Sequence, residues 1–175
     1  MRMYDLIKEK RDGGGLSNEE ISWMIDGYVK GEIPDYQMSA MLMAIYFQGM
    51  TDHETAVMTD AAAHSGDMVD LSNVAGIKAH KQSTGVIGDK TTLLVAPIAG
   101  ACGLPLAMTS GGGHVHQAGA LEKLESIPGL SVTIEGERFF EIVRGVGLAV
   151  IGQTGNIAPA DKKIYALRDV TATVD

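Results

Sequence analysis

A glycine-rich segment, Ser83-Thr-Gly-Val-Ile-Gly-Asp-Lys-Thr-Thr92, stands between two apolar patterns of different kind. Before it, Gly76-Ile-Lys-Ala-His80 reads as a short strand. After it, Thr92-Leu-Leu-Val-Ala-Pro-Ile-Ala-Gly-Ala-Cys102 reads as a buried helix closed by Gly103. Leu104 to Thr109 then reads as a buried strand. A second glycine-rich segment follows, Thr109-Ser-Gly-Gly-Gly-His-Val-His116, and leads into a helical pattern from about Ala118 to Glu125. Strand, turn, helix and strand in alternation predict a parallel α/β sheet. The pattern continues with a helix over Phe139 to Val146, a strand at Ala149-Val-Ile151, and a helix over Pro159 to Val170 opened by Ala158-Pro159.

The first 65 residues carry a different rhythm. Tyr4, Leu6 and Ile7 mark a first helix that stops at Asp12-Gly-Gly-Gly15. Ser17-Asn-Glu-Glu20 and Thr51-Asp-His-Glu54 are both capping-box patterns, opening a second and a fourth helix. Asp35, after Pro34, is expected to cap the third. That third helix is apolar over most of its circumference, which makes it either central or part of a subunit interface. Short connections predict a compact helical cluster.

Composition narrows the classes. The chain has 175 residues, 45% hydrophobic and 21% charged, with a formal net charge of −8. An acidic chain without a basic run is poorly suited to nucleic acid or to an anionic membrane surface. No apolar stretch reaches the ~18 residues of a membrane helix, and the charged N-terminus lacks a signal-peptide core. A cytoplasmic location is expected. The single cysteine, Cys102, excludes an intramolecular disulfide and a cysteine-rich zinc site.

The two glycine segments carry the chemistry. In the first, Gly85 and Gly88 let backbone N–H groups turn inward, and the following helix start adds partial positive charge. Ser83, Thr84, Thr91 and Thr92 add hydroxyls, while Lys81 and Lys90 add charge. Phosphate binding is one reading and an ordinary tight loop with a capped helix is the other; the Walker spacing is absent. The second segment reads either as a close-approach ligand loop or as a plain strand-to-helix turn. His114 and His116, with His80 or Asp89, have the alternation to share a face, but no supporting ligand spacing makes a metal site of them.

Lys81-Gln-Ser-Thr-Gly-Val-Ile-Gly-Asp-Lys-Thr-Thr92 resembles the signature loop of the pyrimidine and thymidine nucleoside phosphorylases. So do Glu32-Ile-Pro-Asp-Tyr-Gln-Met-Ser-Ala40, Ala44-Ile-Tyr-Phe-Gln-Gly-Met50, Val150-Ile-Gly-Gln-Thr-Gly-Asn156 and Pro159-Ala-Asp-Lys-Lys-Ile-Tyr-Ala-Leu-Arg-Asp-Val-Thr-Ala-Thr173. The resemblance covers essentially the whole chain. It implies an α/β-class protein with two parts and a cleft between them. Residues 1–68 would form a helical domain on which 158–175 return to pack, and 69–157 a truncated parallel-sheet α/β domain that binds phosphate.

The implied reaction is the phosphorolysis of a pyrimidine nucleoside to free base and pentose 1-phosphate, a pentosyltransferase step of nucleoside salvage. Inorganic phosphate is a substrate, and no cofactor or metal is implied. Carried over by position, Lys81, Ser83, Thr84, Gly88, Thr91, Thr92 and Ser110 would hold phosphate. Gln82, Tyr165 and Arg168 would meet the base, and His116 and Arg168 would be the catalytic pair. A homodimer through the N-terminal helices is expected.

The departures from that family's pattern fall on the chemistry. Gln82 stands where a histidine is usual, Gly112 where an arginine is, and Ala120 where a phosphate-contacting threonine is. Val86 and Ala118 replace glycines. Family members also continue well past the position of Asp175. The resemblance therefore implies either a fragment or split subunit completed by a separate C-terminal chain, or a non-catalytic paralogue that works as a binding or regulatory module with a weakened anion site.

Overall fold

Local chemistry sets the helix starts of the first segment. In the computed structural model, which describes residues 1–81, 90–110, 120–134, 136–152 and 156–173, these helices are α1 (Met3–Arg11), α2 (Asn18–Lys30), α3 (Asp35–Gln48) and α4 (Asp52–Ala63). Both capping boxes form. The Ser17 hydroxyl accepts from the Glu20 amide while the Glu20 carboxylate accepts from the Ser17 amide, and Thr51 with Glu54 repeats the exchange. Each box satisfies two otherwise orphaned amides. Gly31 closes α2 at φ +79°, a left-handed position that suits glycine.

Asp35 is not the cap of α3. Pro34 occupies that place without a side-chain hydrogen bond, and Asp35 is the first helical residue. Its carboxylate instead accepts from the Tyr28 hydroxyl at 3.0 Å, which draws it away from the helix amides. Burial first, and then Asp35, pushes the Tyr28 phenol up to about 12.

The chain divides into two compact units, Met1–Met68 with Thr154–Asp175, and Val69–Gln153. The core of the first unit holds Met3, Leu6, Ile21, Met24, Ile25, Met38, Met41 and Leu42, joined by Ala160 and Ile164. The last two come from α8 (Pro159–Val170), which packs against α2, α3 and α4. Burying side chains of this size contributes about 1.5–3 kcal/mol each.

Three contacts seat the start of α8. The Ala160 amide donates to Ser65 Oγ at 3.1 Å. The Asp67 amide donates to the Asn156 carbonyl at 2.7 Å. Gly66 lies so close to the Asn156 carbonyl and the Pro159 ring that a Cβ would have no room. One turn along α8, the Lys163 ammonium donates to the Val29 carbonyl at 3.0 Å, near the carbonyl end of α2. α3 buries only one face. Tyr36, Met43, Tyr46 and Phe47 stand exposed on the other, Phe47 at 75%.

The second unit contains α5 (Thr92–Ala101), β1 (Leu106–Ser110), α6 (Ala120–Glu125), α7 (Gly136–Val146) and β2 (Leu148–Gly152). β1 and β2 pair in parallel, from Leu106 opposite Leu148 to Ser110 opposite Gly152. Alternate residues face opposite sides. Leu106, Met108, Leu148 and Val150 pack with Ala96 of α5, whereas Ala149 and Ile151 pack with Phe139 and Val143 of α7 and with Val74. The chain therefore combines a helical bundle domain with a small parallel-sheet α/β domain.

Two expectations need correction here. The strand expected over Gly76 to His80 reduces, in the described residues, to one parallel bridge between Ala79 and Leu106, with the Ala79 amide on the Pro105 carbonyl. Gly76 at φ +82° and an exposed Ile77 interrupt regular pairing before it. The helix after the first glycine segment forms, but it is not buried all round. Only Thr92 and Ala96 are buried, while Leu94, Val95 and Ile98 face solvent. Among the described residues α5 presents one face to the paired strands β1 and β2 and leaves the other uncovered. No helix among the described residues is long and apolar enough to cross a membrane.

Candidate functional site

The parallel direction of the second unit gives its sheet a carboxyl edge, where open α/β sheets bind ligands. Ser110 and Gly152 are paired at that edge. The stretch bearing Lys81 runs parallel to β1, two residues past the Ala79 bridge. The sequence segments 82–89, 111–119 and 153–155 follow directly from these three positions. Gln82, Ser83, Thr84, Gly88 and His116 belong to those segments and lie outside the described residues, as do Asp89 and His114. Among the described residues no group of three His, Cys, Asp or Glu side chains is placed to hold a metal ion.

After 82–89 the described residues resume with Lys90, Thr91 and α5. Thr91 precedes the helix already in helical conformation, φ −69° and ψ −28°, and its carbonyl accepts from the Leu94 and Val95 amides at 3.1 and 2.8 Å. First-turn amides of a helix point outward along the axis with partial positive charge. Thr91 is exposed there, whereas Thr92 is 2% exposed. Thr92 shares the inward stripe of Ala96, one turn on, which explains its burial. Lys81 is half-buried, Lys90 and His80 are exposed, and Ser110 is half-buried. Ala120, buried at the start of α6, brings no hydroxyl.

The first unit holds the other two described candidates. Tyr165 and Arg168 lie three residues apart on α8, both half-buried, flanking the stripe of Ile164. Burial pushes the Tyr165 phenol up and the Asp169 charge adds to it, with Arg168 opposing; the phenol is thus neutral at physiological pH. Arg168 Nε donates to the Thr173 carbonyl at 3.1 Å, and the Thr173 amide donates to the Arg168 carbonyl at 3.1 Å. The Thr171 hydroxyl meets the Leu167 carbonyl at 2.8 Å and the Thr173 hydroxyl at 3.0 Å.

This reciprocal turn fixes the plane of a fork-shaped donor suited to carbonyl or carboxylate oxygens. It depends on Ala172 at φ +54°, and Ala158 at the other end of α8 sits at φ +43°. Such positions cost alanine of order 1–3 kcal/mol and recur at functional sites. The turn that holds Arg168 is not legible in the sequence, because alanine carries no signal for a left-handed conformation.

Residues 4–66 match the model described as "Glycosyl transferase family, helical bundle domain", and residues 75–175 match "Glycosyl transferase family, a/b domain". The chain is similar over all 175 residues to the pyrimidine-nucleoside phosphorylases of Geobacillus stearothermophilus and of Staphylococcus haemolyticus (strain JCSC1435), at 55% identity in each case. It spans 40% of the length of each of these relatives. Among solved structures, the anthranilate phosphoribosyltransferase (TrpD) from Thermus thermophilus superposes with a TM-score of 0.71 at 22% identity, over 94% of this chain and 50% of that one. At that identity the likeness speaks for the fold alone. With its helical bundle and its α/β domain matched in order, the chain belongs to this glycosyl transferase family.

Proposed function

We propose that the chain carries the phosphate-binding and base-binding groups of a pyrimidine nucleoside phosphorylase. The observation behind this reading is the 55% identity to such enzymes over every residue of the chain. The phosphate ligands are assigned to Lys81, Ser83, Thr84, Gly88, Thr91, Thr92 and Ser110, among which Thr91 and Thr92 stand at the start of α5. The base side is assigned to Gln82, Tyr165 and Arg168, with His116 as a further catalytic group. Residues 69–157 are taken as the phosphate domain, and 1–68 with 158–175 as the base domain.

In the reaction a phosphate oxygen forms a bond to the anomeric carbon as the N-glycosidic bond breaks. The bonding pair leaves with the base nitrogen and spreads onto the adjacent carbonyl. Held charges lower the barrier when they are oriented before the reaction: Lys81 toward the phosphate and the Arg168 guanidinium toward that carbonyl. Gln82 donates to a carbonyl but carries no transferable proton, so the base departs as an anion that solvent protonates.

A separate chain supplying the rest of the relatives' length, and a homodimer through the exposed α3 face bearing Tyr36, Met43 and Phe47, belong to the same proposal, as does a cytoplasmic location. The test is to incubate the purified chain with uridine or thymidine and inorganic phosphate, and to measure free base. A second reading, a non-catalytic binding module, is favoured by Gln82, Gly112 and Ala120. It expects phosphate binding without base release.

A further inference from the structure

Two hydroxyls just past α8 form a short chain of hydrogen bonds beside Arg168. Thr173 is 5% exposed and Thr171 is half-buried. The Thr171 hydroxyl has a single proton, and the Leu167 carbonyl takes it at 2.8 Å, with the Arg168 carbonyl farther off at 3.4 Å. The 3.0 Å contact between the two hydroxyls therefore uses the Thr173 proton. Thr173 is tied at three points: its hydroxyl donates to Thr171, its amide donates to the Arg168 carbonyl, and its own carbonyl accepts from Arg168 Nε. A valine would fill the same space without burying a polar group, so the hydroxyl is a cost that its one bond must offset.

The partner of Arg168 is a neutral carbonyl. Among the described residues no carboxylate bonds to its guanidinium. A carboxylate would orient the group equally well but would offset the charge available to a ligand. Held through Nε by a carbonyl, the group is oriented with its charge intact and its Nη nitrogens still able to donate, which is what a preoriented donor requires. We propose that Thr173, with Thr171 behind it, is a positioning residue: the hydroxyl pair fixes the carbonyl that aims the Arg168 guanidinium at a carbonyl oxygen of the ligand. The phosphorylase reading supplies the identity of that ligand, a pyrimidine base gaining negative charge; the hydroxyl pair itself is read from distances and burial. The threonines act through Arg168 and are assigned no contact of their own with the base.

The experiment has two arms. In the chain itself, solvent exchange of the Arg168 Nε–H is followed by side-chain NMR, the signal being identified by its loss in Arg168→Lys. Thr173→Val is expected to speed that exchange about tenfold or more, and Thr173→Ser to leave it unchanged. The second arm uses a chimera in which this chain replaces the matched stretch of the Geobacillus stearothermophilus phosphorylase. There Thr173→Val is expected to lower kcat for uridine about tenfold with KM within about threefold, and Thr173→Ser to restore it. Added to Arg168→Lys, Thr173→Val is expected to lower kcat by less than about twofold further, because the group it positions is already gone. If Thr173→Val does not accumulate, Thr171→Val removes the same link and is expected to give the same contrasts. Unchanged Nε–H exchange, or an equal fall in kcat with Arg168 present and with Arg168→Lys, overturns the proposal. An unsubstituted chimera that releases no base defeats the phosphorylase reading, and the exchange arm then supports or overturns the positioning role by itself.

Discussion

The Lys10 ammonium lies 2.8 Å from Glu54 Oε1 and 3.0 Å from Oε2, with both residues all but sealed from solvent and 44 positions apart in sequence. The same carboxylate accepts from the Leu16 amide at 2.8 Å and the Thr51 amide at 2.8 Å. One acidic group therefore ties the end of α1, the chain after the Gly13–Gly15 turn and the start of α4. Removing one partner of a buried pair leaves the other charged and unmatched, at a cost of about 3–5 kcal/mol. Lys10→Met is expected to lose stability in that range, measured by urea unfolding. Glu54→Gln is expected to lose less than additively when combined with it.

The same group sets an acid limit. Burial alone would raise the Glu54 pKa, but the Lys10 ammonium and the Leu16 and Thr51 amides outweigh it and bring it to about 2, below the ordinary 4.5. A depressed folded-state value stabilises at pH above the unfolded value and is lost as pH falls toward the folded one. The urea midpoint is expected to hold above about pH 5 and to drop between there and about pH 2. In Glu54→Gln that drop is expected to be shallower. An identical acid profile in the two proteins contradicts the assignment.

Ala172 offers a test of backbone strain at the Arg168 turn. Ala172→Gly removes the left-handed penalty of alanine but loosens the unfolded chain, so stability is expected to change by less than about 1 kcal/mol. Ala172→Val places a β-branched residue at φ +54° and is expected to cost about 1–3 kcal/mol. Thermal unfolding distinguishes the two. A valine variant as stable as the parent contradicts the strained geometry.

What the sequence revealed follows the reach of each interaction. Ser17 with Glu20 and Thr51 with Glu54 were legible because three residues separate the partners and the spacing itself encodes the bond. The Pro159 start of α8 was legible for the same local reason. Asp35 was misplaced because Tyr28, seven residues earlier, competes for its carboxylate. Lys10 with Glu54 had no local signature at all. The exposure of α5 was illegible too, since an all-apolar helix reads as buried whatever its neighbours are. Arg168 enters the candidate site through resemblance alone, and its Thr173 carbonyl partner depends on a conformation that alanine does not announce.

Arg168 is the sharper of the two cationic assignments. Arg168→Lys keeps the charge but loses the planar fork and the Nε bond to the Thr173 carbonyl. In a chimera in which this chain replaces the matched stretch of the Geobacillus stearothermophilus phosphorylase, this change is expected to lower kcat/KM for uridine by about 10²-fold or more, comparable to loss of a single transition-state donor. An unchanged kcat/KM removes Arg168 from the site.

The central claim, that Lys81 and the residues around the first glycine segment hold a phosphate, is tested most directly by calorimetric titration of inorganic phosphate into the chain. Saturable binding is expected for the chain, with no detectable heat for Lys81→Ala. Binding of equal strength in Lys81→Ala, or none in the unsubstituted chain, would contradict it.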